Sequence, residues 1–68
     1  MVIKVVGPFI KLGQALKAAN LVEMGSIAKE VIQNGEVSVN GETETRRGRK
    51  LFPGDVVEFK GETVEILS

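Results

Sequence analysis

Cysteine, histidine, tryptophan and tyrosine are all missing from this chain of 68 residues, and aspartate occurs only as Asp55. Without cysteine there can be neither a disulfide framework nor a thiolate metal site. Without histidine, cysteine and tyrosine, most groups that serve as nucleophile or general acid and base at neutral pH are gone. Neither an enzyme nor a resident cofactor is expected. Long apolar runs are lacking too, and the start, Met1 to Pro8, has no basic segment leading into the apolar stretch of roughly 7–15 residues that a signal peptide needs. The expectation is a cytoplasmic protein with no membrane partner and no small-molecule substrate. The length leaves room for a single domain, residues 1–68, with one modest core.

Net charge is lacking as well, since nine Lys and Arg offset nine Asp and Glu. The balance is uneven along the chain. Arg46-Arg47-Gly48-Arg49-Lys50 holds four of the nine bases, whereas residues 51–68 set Asp55, Glu58, Glu62 and Glu65 against Lys60 alone. Such a chain is dipolar, and a positive face can act locally even at zero net charge.

Periodicity divides the chain in two. A short apolar strand, Val2 to Val6, stops at Gly7-Pro8. From near Phe9 the spacing of Leu12, Ala15, Leu16 and Ala19 is that of a helix burying one stripe. Asn20 and Gly25 bracket a loop, after which Ser26 is a suitable N-cap for a second helix with Ala28, Val31 and Ile32 inward and Asn34-Gly35 as its stop. From Glu36 the period becomes two: Val37 and Val39 alternate with polar residues, and Asn40-Gly41 is a strong hairpin signal because a type I′ turn needs positive φ at both central residues. Pro53-Gly54 and Gly61-Glu62 mark further turns around the alternating segments Val57 to Phe59 and Val64 to Ile66. The pattern predicts an α+β domain: a short N-terminal strand, then two packed helices followed by a small antiparallel sheet whose valine face they cover.

No apolar residue occurs from Glu42 to Lys50, which places the basic cluster at the surface. A block of one sign is often only a solubilising loop. Three of its four bases, however, are arginine: Arg46, Arg47 and Arg49. Their planar forks suit phosphate oxygens better than Lys50 does. Gly48 between them lets the main chain approach a ligand closely. The polar helix faces extend the candidate patch, with Lys11 and Gln14 on the first helix and Ser26, Lys29 and Gln33 on the second. Each of these alone reads better as an ordinary solvated face, and Ser26 has a full explanation as a cap.

The order Lys11-Leu12, Leu16, Ala28-Lys29, Gly35, Val39-Asn40-Gly41 and Gly54-Asp55 resembles the RNA-binding domain named after small-subunit ribosomal protein four, the S-four domain. The run from Gly25-Ser26-Ile27-Ala28-Lys29 to Pro53-Gly54-Asp55 is similar to the short, stand-alone bacterial members of that family, the YaaA-like or YbcJ-like proteins. The resemblance implies the αL RNA-binding motif and an RNA-binding face formed by the helices and the following hairpin. Lys11 and Lys29 match basic positions of the family. Departures lie at Gly13, Ala18 and Arg47-Gly48-Arg49, so the contacts of ribosomal members cannot simply be transferred. On this reading the RNA-binding residues are Lys11, Gln14, Ser26, Lys29, Arg46, Arg47, Arg49 and Lys50.

Only three aromatics, Phe9, Phe52 and Phe59, are available, which disfavours a single-strand binder working by base stacking. A structured RNA such as ribosomal RNA, read by shape through closely spaced phosphates, is the expected partner of a monomer. Four to six phosphate contacts would give a salt dependence of about 0.7–0.9 in log–log slope each. The acidic residues after Asp55 are expected to face away from the RNA. Two other readings stay open: a β-grasp sulfur carrier or ubiquitin-like protein, although the end Ile66-Leu67-Ser68 has no diglycine, and a protein-interaction module.

Overall fold

The computed structural model describes residues 1–68. In chain order the elements are β1 (Val2–Lys4), β2 (Ile10–Lys11), α1 (Leu12–Ala18), α2 (Gly25–Gln33), β3 (Val37–Val39), β4 (Glu42–Thr43), β5 (Lys50–Leu51), β6 (Val56–Phe59) and β7 (Glu62–Leu67). The α+β expectation holds, with helix–helix packing between α1 and α2.

Leu12, Ala15, Leu16 and Ala19 form the buried stripe of the first helix, and Ala28 and Ile32 that of the second, with Val31 half-buried. Both helices end in a left-handed residue, Asn20 at φ 62° and Gly35 at φ 76°. The N–H groups of Leu21 and Glu36 then donate back to the carbonyls of Leu16 and Val31, closing two Schellman motifs. Pro or a β-branched residue at either place would break this stop.

The main sheet has the order β1-β7-β6-β3-β4. Alternation along β3, β6 and β7 buries Val37, Val39, Val57, Phe59, Val64 and Ile66 in one core with the helix stripes, while Glu58 and Glu65 stay exposed. Glu58 and Glu65 therefore lie on the sheet face turned away from the helices. The antiparallel pairs β3–β4, β3–β6 and β6–β7 match the sequence pattern. The N-terminal strand adds a parallel edge, Val2 opposite Glu65, which period-two alternation has no means of specifying.

Several boundaries differ from the sequence reading. The N-terminal strand spans Val2–Lys4, not Val2 to Val6. Ile10–Lys11 is not helical but a two-residue strand paired with Lys50–Leu51. The N-cap of α2 is Met24, with no side-chain cap, so Ser26 lies inside the first turn and not at the cap. The last hairpin turns at Lys60-Gly61, whose φ values of 51° and 78° fit a type I′ turn, and not at Gly61-Glu62. Pairing of Phe59 with Glu62 leaves only those two residues for the turn.

Candidate nucleic-acid interface

The basic segment is bound to the start of α1 by backbone. Pairing of β2 with β5 sets Lys11 opposite Lys50. Just beyond, the Leu12 N–H donates to the Arg49 carbonyl at 2.8 Å and the Gly13 N–H to the Arg47 carbonyl at 3.1 Å. These are amides that the first turn of a helix leaves without an internal partner. The basic loop thus caps α1. Gln14 adds to the same end by accepting the Lys11 N–H at its Oε1, 3.1 Å away.

This junction encloses a concave basin of about 490 Å³ lined by Lys11, Gly13, Gln14, Lys17, Gly25, Arg47 and Gly48. Three of the seven carry positive charge, and none is acidic or hydrophobic. The amides of Gly25 and Ser26, which open α2 at the rim, donate to no backbone carbonyl. The basin is suited to an anion that accepts several hydrogen bonds, since its wall holds three cations and no acidic group to repel negative charge.

The two glycines of the wall differ. A Cβ on Gly13 would lie 3.0 Å from the Arg47 Cγ, so a side chain at residue 13 would press Arg47 away from its position. No heavy atom lies within 4 Å of a Cβ built on Gly48.

Of the residues singled out in the sequence, Lys11, Gln14, Arg47 and Gly48 line the basin. Ser26 and Lys29 are exposed on α2 outside its lining. Lys50 lies over the Phe9 ring, its Nζ 4.9 Å from the centroid, and Phe9 in turn meets Phe52 at 6.0 Å. Phe59 is therefore the one aromatic in the core. Lys17, Gly13 and Gly25 are basin residues that the sequence reading passed over. The spacing of Lys11, Gln14 and Lys17, each three apart, carried the signal for Lys17.

Arg46 and Arg49 are placed differently from Arg47. Glu44 is 6% exposed, the only buried charged residue, although the basic cluster that follows it lies at the surface. Its Oε2 accepts the Nε of Arg46 and the N–H groups of Thr45 and Arg46, each at 3.0 Å. Its Oε1 accepts from Arg46 at 3.2 Å and from Arg49 at 3.0 Å. The hydrogen bond from the Arg46 guanidinium, aided by Arg49 and outweighing the effect of burial, holds the Glu44 carboxyl at about 2. These are the two ion pairs of the protein, so the cations of the basin have no carboxylate partner. No cluster of acidic side chains able to hold a metal ion is present, and no helix is long and apolar enough to cross a membrane.

Two helices and a following sheet have counterparts among known proteins. Residues 3–67 match the S4 domain family. The chain is 52% identical over 52 residues, 76% of its length and 73% of the relative's, to RlbA of Bacillus subtilis, which is named for ribosome maturation. It is 36% identical over 61 residues to YbcJ of Escherichia coli, named for RNA binding, covering 90% of this chain and 87% of that one. The solution structure of YbcJ, described as holding an αL motif involved in RNA binding, superimposes with a TM-score of 0.76 at 32% identity, over 98% of this chain and 86% of the other. The chain belongs to the S4 domain family, and the β-grasp alternative falls away.

Proposed function

We propose that this protein binds structured RNA, with ribosomal RNA as its class of target, by seating backbone phosphate in the basin of Lys11, Lys17 and Arg47. The single observation that carries the reading is the composition of that wall: three cations without a carboxylate partner, and no apolar side chain. Phosphate oxygens satisfy all three, whereas a base would find no aromatic ring there to stack on. Lys29, Arg46 and Lys50 add positive charge around the basin and Ser26 a neutral hydroxyl, and the acidic outer face of β6 and β7 biases the orientation in which RNA approaches. The names of YbcJ and RlbA support RNA as the ligand and the ribosome as its setting.

Shape reading by phosphate contacts predicts a preference for folded RNA over a single strand of the same length. Binding of a ribosomal RNA hairpin or junction, its unfolded single-strand equivalent and a DNA duplex, each at two salt concentrations, tests this. Tightest binding to the folded RNA, weakening steeply with salt, is expected. Equal affinity for all three would leave only nonspecific attraction to polyanions, and a flat salt response would refute the phosphate reading.

A further inference from the structure

We infer that Glu44, an acid, is a positioning residue for RNA binding: it holds the Arg46–Lys50 segment in the shape that sets Arg47 in the basin wall. The inference rests on the basin reading above. The geometry is direct. One buried carboxylate gathers two backbone amides at the start of the segment and two guanidinium groups from within it, all within 3.2 Å. The Arg49 N–H closes back on the Arg46 carbonyl at 3.2 Å, so the residues between them form a tight turn. Two carbonyls of this turn, Arg47 and Arg49, cap α1. Arg47 is the one arginine of the three that Glu44 does not hold, and the one that lines the basin.

Four like charges within five residues repel one another and would by themselves favour an open, mobile loop. An ordered loop in the free protein makes RNA binding tighter, because less conformational freedom is lost on association. Glu44 supplies that order at the expense of part of the segment's positive charge. Arginine in place of lysine at position 46 follows from the same arrangement, because its planar fork holds the carboxylate with two bonds, Nε to Oε2 and a terminal nitrogen to Oε1.

A charge-only account and the positioning account predict opposite signs for Glu44→Gln. Removing a negative charge beside a phosphate site should tighten RNA binding and steepen its salt dependence. Loss of the clasp should weaken binding, by at least threefold, in a protein that still gives a native amide spectrum. In an Arg47→Ala background the same substitution should have little further effect, since Glu44 acts through Arg47. Hydrogen exchange at the Leu12 and Gly13 amides should quicken in Glu44→Gln as their acceptors loosen.

Should Glu44→Gln fail to fold, Arg46→Lys serves instead: its side chain is 76% exposed, charge is kept and the fork is lost. Binding weakened at least threefold, with faster exchange at Leu12 and Gly13, supports the inference. Either folded variant binding RNA as tightly as the unaltered protein, or more tightly, overturns it. So does an effect of Glu44→Gln that persists in full without Arg47. Failure of the unaltered protein to bind RNA would instead refute the basin reading itself.

Discussion

Arg47 lies against Gly13: the Gly13 N–H donates to the Arg47 carbonyl at 3.1 Å, and a Cβ on residue 13 would stand 3.0 Å from the Arg47 Cγ. The cap on α1 is made by backbone alone, and the small residue leaves room for the Arg47 side chain beside it. Gly13→Ala should separate stability from binding. Alanine is the better helix former by about 1 kcal/mol, and the crowded atom belongs to a flexible side chain that can move. Stability is expected to stay within about 1 kcal/mol of the starting value by denaturant unfolding, while RNA affinity falls severalfold as Arg47 is displaced. Unchanged affinity would remove Arg47 from the RNA contact.

Asn40 joins two turns that are fifteen residues apart. Its Nδ2 donates to the Asp55 Oδ1 at 3.0 Å, and its Oδ1 accepts the Val56 N–H at 2.9 Å. It also takes φ 53°, which an asparagine tolerates better than most residues. Asn40→Ala is expected to cost about 1–3 kcal/mol through lost hydrogen bonds and backbone strain together. Asn40→Gly relieves the strain alone and should cost less. Equal losses in the two variants would show that conformation at residue 40 contributes little.

Acid should unfold the protein in a defined window. The carboxyl of Glu44 lies at about 2 against an ordinary value of 4.5. Asp55 is also lowered, first by the Phe52 N–H and then by Asn40. A carboxyl with a depressed value in the folded state contributes stability that is complete above its unfolded value. That contribution is lost as pH falls towards the folded value. Stability measured by denaturant unfolding should therefore hold near neutrality and decline from about pH 4.5 downwards, with Glu44 accounting for about 2–3 kcal/mol. Glu44→Gln should flatten that decline. An identical pH profile in the variant would contradict the assignment.

Much of this architecture was legible because local chemistry and tertiary structure agree. The stripe of Leu12, Ala15, Leu16 and Ala19 and the Asn40-Gly41 turn carry their own physical signals, and both stand in the fold. Ile10 and Lys11 were misread as helical because their strand depends on a partner forty residues away, Lys50 and Leu51, which no local period reveals. Glu44 escaped notice for a related reason. A lone acid in a polar stretch reads as solvated, and its burial comes from arginines folding back over it. The eight site residues named from the sequence include three of the basin, Lys11, Gln14 and Arg47. Lys17 was hidden because its position in the last turn of a short helix equally suits a favourable charge at a helix end.

The most direct test compares the unaltered protein with the triple variant Lys11→Ala, Lys17→Ala, Arg47→Ala in binding a folded ribosomal RNA fragment across a salt series. Surface changes of this kind should leave stability within about 0.5 kcal/mol each, so a folded variant is expected. If the basin seats phosphate, the variant binds more weakly at low salt and its log–log salt slope is shallower by about 2–3, close to one counterion for each cation removed. A folded variant with the same affinity and the same slope would contradict the account.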